Sequence, residues 1–143
     1  MRIAENSQDY IRNYNFDENL SIAQQAEEYI KSYFWDIRKI KLVKKSKGES
    51  GFDLRDECST LFVEVKGSEK SFKNFPGCYF TDLEYKKAKS CQKEKRRYEI
   101  HLVVGIGSES PEHYMWPGKL LLDKAKKEVW FSLTGKDFRN YDC

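Results

Sequence analysis

Apolar residues fall along this chain in two rhythms, one for helices and one for strands. Between residues 17 and 35, Ile22, Ala26, Ile30, Tyr33 and Phe34 recur every three to four positions, so the spacing predicts a helix capped by Ser21 or Asp17. Residues 37–44 alternate and read as a strand, and residues 44–51 form a polar loop. Phe52 to Arg55, a turn over Asp56 to Ser59, and Leu61 to Lys66 read as a β-hairpin. A loop over 67–77, closed by Pro76-Gly77, leads to a short strand at Tyr79-Phe80. Thr81-Asp82-Leu83-Glu84 has capping-box spacing and opens a second helix running to about Lys95. Tyr98 to Ile106 reads as a buried strand with Ile100, Leu102, Val104 and Ile106 on one face. Residues 107–117 are expected to be a loop, and Lys119 to Asp123 with Glu128 to Leu133 a final hairpin. Residues 1–16 read as an arm or a short leading helix. The order predicts a mixed α/β layer fold.

The hairpin carries the candidate chemistry. A four-residue turn pairs Arg55 with Thr60 and Asp53 with Phe62, which puts Asp53 on the face of Glu64 and Lys66, diagonal to Glu64. The same register gathers Phe52, Leu54, Leu61, Val63 and Val65 on one apolar face. Two converging carboxylates suit a hard divalent cation such as Mg²⁺ or Mn²⁺. Lys66, two residues beyond Glu64, points to the same side and can orient an attacking water or offset charge growing on a phosphate. Glu27 is an acid on the inward stripe of the first helix, whereas Glu28 lies on its wet face. A solvated cross-strand charge pair is the structural alternative for the hairpin residues, and a buried acid such as Glu27 calls for a partner.

Gly51-Phe52-Asp53-Leu54 followed by Val63-Glu64-Val65-Lys66-Gly67 resembles the PD-(D/E)XK nuclease superfamily. More narrowly, it is similar to the Mrr-like domain found at the C-terminal end of NO VEIN proteins and in bacterial restriction-type proteins. The resemblance spans about residues 20–106 and includes Ala26-Glu27, Thr81-x-x-Glu84, Ala88 and the aliphatic strand Ile100 to Val104. It implies a restriction-endonuclease-like α-β-β-β-α-β core at about 17–106 within a single domain, with 1–16 as an arm and 107–143 as a C-terminal extension. It further implies a nuclease that hydrolyses phosphodiester bonds in DNA by a metal-activated water. Asp53 and Glu64 would bind Mg²⁺ or Mn²⁺, Lys66 would assist the attack, and Glu27 would serve the outer part of the metal site. The chain departs from the family pattern in lacking a proline before Asp53, and it has Glu64 where many Mrr-like enzymes have Gln. The rival expectation is an inactive nuclease-fold module that binds nucleic acid or a partner protein.

Composition narrows the field. The 143 residues are 39% hydrophobic, 34% charged and 15% aromatic, which fits one folded domain and excludes a disordered chain. No apolar run is long enough to span a membrane and none resembles a signal peptide, so a cytoplasmic location is expected. The net charge of +3 is mild, so the distribution of charge matters more than its sum. Lys45, Lys47, Lys70, Lys73, Lys86 and Lys89 are candidate phosphate contacts; a solvated, solubilising face is the alternative. Thr81 and Glu84 read as a helix cap that could also line the site, and His101 as a satisfied structural residue. Trp35, Trp116 and Trp130 read as core or edge packing residues rather than base-stacking platforms, with an interface as the alternative for Trp116. Four cysteines without a Cys-x-x-Cys pair fit reduced thiols rather than a zinc site. A homodimer or a larger multi-subunit partner is expected if both strands of a duplex are cut.

Overall fold

Leu61 to Gly67 is the strand around which the molecule is built, because its alternating side chains are buried on both faces. The computed structural model describes residues 3–127 and 131–142. In chain order the elements are α1 (Ser7–Arg12), α2 (Ile22–Tyr33), β1 (Leu42–Lys44), β2 (Leu54–Asp56), β3 (Leu61–Gly67), β4 (Gly77–Phe80), α3 (Asp82–Glu94), β5 (Arg97–Val104), β6 (Glu112–Pro117), α4 (Lys119–Lys124), β7 (Lys126–Lys127), β8 (Phe131–Thr134) and α5 (Gly135–Asn140). A five-stranded mixed sheet has the order β1-β2-β3-β5-β6, with β3 and β5 parallel and the other pairs antiparallel. The parallel pair requires a crossover, and α3 supplies it. A second sheet has the order β4-β8-β7. Among the described residues no helix is long and apolar enough to cross a membrane.

The main sheet separates two apolar clusters. Ala26, Ile30 and Phe34 pack on Leu54, Leu61, Val63 and Val103 on one side. On the other, Ala88 and Cys91 of α3 meet Phe62, Ile100, Leu102 and Val104, joined by Phe131, Leu133 and Phe138 from the C-terminal elements. Both long helices start on complete capping boxes, Ser21 with Gln24 and Thr81 with Glu84.

Several expectations from the sequence are corrected. The helix expected over 17–35 is α2 and starts at Ile22, and the strand expected over 37–44 is confined to Leu42–Lys44 because Phe34–Arg38 continues as one wide π-helical turn. That turn swings the Arg38 guanidinium onto Glu99, at 2.6 and 3.1 Å, and over the Phe34 ring at 4.4 Å. It leaves Trp35 59% exposed rather than packed. Gly105, at φ 67°, turns the chain after β5, so Ile106 joins Val103 in the α2-side cluster instead of following Val104. Residues 112–117, expected as loop, pair with β5 as a strand. Trp116 on that strand is fully buried, a core packing residue as its first reading has it, and the interface alternative falls. Residues 119–124 form a helix rather than a strand: Leu120 and Leu121 are both fully buried, which strand alternation on a one-faced edge does not allow. Of the expected final hairpin, residues 128–130, with Trp130, lie outside the described residues, and 131–134 is β8.

His101 is satisfied as expected, within a buried polar chain. Glu99 Oε1 lies 2.8 Å from His101 Nε2, His101 Nδ1 2.7 Å from His113 Nε2, and His113 Nδ1 3.0 Å from the Tyr29 hydroxyl. Burial pushes both imidazole pKa values down, His113 well down. A histidine held neutral in the fold takes up a proton more readily when unfolded, so its contribution weakens as pH falls below the unfolded value of about 6.5. From pH 6.5 to pH 5 the loss from His113 alone should approach about 2 kcal/mol. Urea unfolding at the two pH values, with a His113→Gln variant of flatter pH dependence as the comparison, checks it.

Candidate functional site

Strand alternation turns Leu61, Val63 and Val65 towards α2 and Phe62, Glu64 and Lys66 towards α3. The neighbouring strand enters through Gly51, which has φ 88° and is buried against α3. A Cβ there would stand 2.6 Å from the Leu83 carbonyl oxygen and 2.7 Å from Lys87 Cβ, so only glycine lets the segment approach so closely. Phe52 then packs on Phe62, ring centroids 4.9 Å apart, on the α3 side rather than beside Leu54 as expected. Pairing follows Leu54 with Val63 and Arg55 with Phe62, two residues away from the expected register. The turn centres on Asp56, whose carboxylate accepts hydrogen bonds from the amides of Thr60 and Leu61 and from the Thr60 hydroxyl. A shift of two preserves the facing of the paired residues and, carried one residue back, sets Asp53 across from Glu64 instead of diagonal to it.

Asp53 lies just before the first paired residue of β2. Its amide donates to the Val63 carbonyl (3.0 Å), and its Oδ2 accepts from the Val65 amide (2.8 Å). Glu64 is 2% exposed. Its Oε2 is 2.9 Å from Lys66 Nζ, while its Oε1 is buried with no hydrogen-bond partner. Lys66 Nζ lies 3.8 Å from Glu84 Oε1 and 4.5 Å from the centre of the Phe80 ring. Glu84 thus does two things: it caps its helix by accepting from the Thr81 amide (2.9 Å), and it flanks the lysine. Two carboxylates, Glu64 and Glu84, therefore flank one ammonium in a largely buried place, and Asp53 adds its charge beside Glu64.

The electrostatics follow from that count. Burial pushes the Glu64 pKa well up, with Lys66 opposing and Asp53 and Glu84 adding to the rise. Burial also raises Asp53, against the Val65 hydrogen bond and Lys66. Burial alone would lower Lys66, but Glu64 and Glu84 outweigh it and hold the ammonium firmly protonated. Cys78, which faces the same charges, is pushed up to about 12, chiefly by burial, and is a thiol rather than a thiolate.

Asp53, Glu64 and Lys66 therefore come together on one face. Glu27 approaches from the α2 side: its side chain is 24% exposed and lies 3.6 Å from Lys44 Nζ. Burial and then the charge of Asp53 raise its pKa. Among the described residues no cluster of three or more His, Cys, Asp or Glu is arranged to hold a metal ion. A cation here would draw two carboxylates from the protein, a number that suits Mg²⁺, which keeps several of its waters. Glu64 Oε1 is the atom such an ion would satisfy. Lys45, Lys47, Lys70, Lys73, Lys86 and Lys89 are all exposed, and Lys86 is paired with Asp82 at 2.8 Å.

The loop after Lys66 is tied down. The Ser68 amide bonds the Val103 carbonyl, the Gly105 amide bonds that of Lys70, and Phe72 and Phe75 are buried. Phe80 went unnoticed at the site because it sits in a short strand with no polar marker. Comparison of the chain with protein-family models and with curated proteins, and of its structure with solved structures, finds no match.

Proposed function

We propose that the protein is a metal-dependent nuclease acting on DNA, built on a restriction-endonuclease-like core of the Mrr-like kind. The observation that carries this is the buried, unpartnered Glu64 Oε1 on the face shared by Asp53 and Lys66. Setting aside β4, which intervenes before α3 and belongs to the second sheet, the order α2, β1, β2, β3, α3, β5 is consistent with this reading, with the acids and the lysine at the open end of the β2–β3 hairpin. Asp53 and Glu64 would hold Mg²⁺ or Mn²⁺, which supplies Lewis-acid polarisation of a phosphoryl oxygen and a lowered pKa for attacking water.

The chain's own groups do the rest. Lys66 remains an ammonium because Glu64 and Glu84 face it, and its charge offsets what develops on the phosphate. The Val65 amide fixes one oxygen of Asp53, leaving the other for the cation. Glu27 and Lys44 form the outer margin, and the exposed lysines beyond them contact the nucleic-acid backbone.

The test is cleavage of plasmid and oligonucleotide DNA with Mn²⁺ or Mg²⁺. The wild type should cut, chelator should stop it, and Asp53→Asn should lower the rate by ~10²-fold or more. Cleavage that persists unchanged in Asp53→Asn belongs to a contaminant. Salt-sensitive binding without strand breaks at any metal concentration makes the protein a binding module and overturns the enzyme.

A further inference from the structure

Trp35 is the most unusual surface residue of the molecule. Its indole is 59% exposed, and no described ring stacks on it. The π-helical turn that displaces it outward also opens a groove of about 740 Å³ between the end of α2 and the free edge of β1. Three cations, Lys31, Lys41 and Lys44, line this groove beside the indole. Of its acids, Glu28 lies within the groove, 3.7 Å from Lys31 and 4.0 Å from Lys44, and Asp36 accepts from the Tyr10 hydroxyl at 2.6 Å, so Lys41 is the groove's uncompensated charge. Lys41 has no ion-pair partner among the described residues. Lys44 belongs to both places, since it lines the groove and pairs with Glu27 at the margin of the acidic site, next to the segment whose Lys45 amide bonds the Asp53 carbonyl.

We propose that this groove binds an unpaired nucleotide of the substrate, with its base stacked on Trp35 and its phosphates on Lys41 and Lys44. This rests on the nucleic-acid reading above and narrows it: the preferred substrate has a single-stranded stretch beside the cut. A single exposed indole with flanking ammonium groups matches an unstacked base, whose π-face is open. In a duplex each base face is already covered by its neighbours. An apolar protein segment would gain the indole but leave Lys41 uncompensated.

Binding is measured without metal, so that it does not depend on cleavage. A fluorescently labelled oligothymidylate and a blunt duplex of equal length are titrated into the full-length protein in chelator. The wild type should prefer the single strand, and Trp35→Ala should weaken that binding roughly ten-fold or more with little effect on the duplex. Lys41→Glu, a second exposed substitution, should do likewise and flatten the salt dependence. The oligothymidylate should also quench wild-type tryptophan emission; subtracting the Trp35→Ala spectrum isolates this indole from the other two tryptophans, Trp116 and Trp130. Equal single-strand affinity in wild type and Trp35→Ala overturns the proposal even if cleavage is intact. Trp35-dependent binding with no cleavage at any metal concentration supports the groove and overturns the nuclease. A Trp35-dependent dimer with no affinity for the oligonucleotide assigns the face to self-association and overturns it too.

Discussion

Glu64→Gln should make the protein more stable at pH 7 while removing the proposed metal-dependent cleavage. The folded-state pKa of Glu64 lies well above its ordinary value because burial and the charges of Asp53 and Glu84 outweigh Lys66. A raised carboxyl stabilises the fold only while protonated. Its contribution is complete below the unfolded value, about 4.5, and is lost as pH rises through the folded one. At neutral pH, above the unfolded value, the group is therefore a cost to the fold, and a neutral isostere removes it. Lys66 keeps Glu84 as a partner in the variant. The expected gain is about 1 kcal/mol, a rise in Tm of roughly 3–5 °C in a domain of this size. The rate of metal-dependent cleavage should fall by ~10²-fold or more. Parallel thermal melts at pH 7 and pH 4.5 should show the stability difference shrink at the lower value. A variant that melts lower than wild type at pH 7 would mean that the Lys66 pair, not the crowding of acids, dominates the energetics of Glu64.

Lys66→Met should have the opposite effect on the fold. It deletes the ammonium that faces Glu64 and Glu84 and leaves a buried carboxylate with only other acids around it. Removing one partner of a buried ion pair costs about 3–5 kcal/mol. Acidification should restore part of this, because Glu64 then protonates. Divalent metal should restore more, since the site without its lysine is more negative. Urea titrations at pH 7 with and without Mn²⁺ check both statements; a loss of stability unaffected by pH or Mn²⁺ would assign the damage to lost packing of the lysine stem on Phe80. Cleavage should remain absent even where Mn²⁺ returns the fold, because the charge that assists the phosphate is gone.

Much of this arrangement was legible in the chain. The Thr81–Glu84 capping box announced its helix, Ser21 was one of two caps open for the earlier one, and the alternation from Leu61 to Lys66 fixed which residues share a face. The parity of the β2–β3 turn was readable, and so was the meeting of Asp53 with Glu64. The turn's position was not, because Asp56 organises it through contacts with Thr60 and Leu61 that no local pattern separates from a turn two residues away. Phe52 was misplaced for a related reason: it lies outside the paired strand, so alternation does not govern it. The C-terminal third was least legible. Leu120-Leu121-Leu122 suits a strand or a helix equally by propensity, and the decision comes from Tyr98, whose carbonyl accepts from the Gly118 amide at 2.6 Å. Trp35 departs from its expected packing role because a single wide turn ejects it, whereas the pairing of β6 with β5 buries Trp116 in the core. The second role of Glu84 was hidden behind its first, since a capping acid needs no further explanation.

Calorimetric titration of the metal-free protein with Mn²⁺ tests the central claim most directly, because it asks only whether Asp53 and Glu64 jointly hold a cation. Saturable binding is predicted for the wild type, loss of it in both Asp53→Asn and Glu64→Gln, and retention in Lys66→Met. No binding by the wild type, or equal affinity in the wild type and the two carboxylate variants, would contradict it.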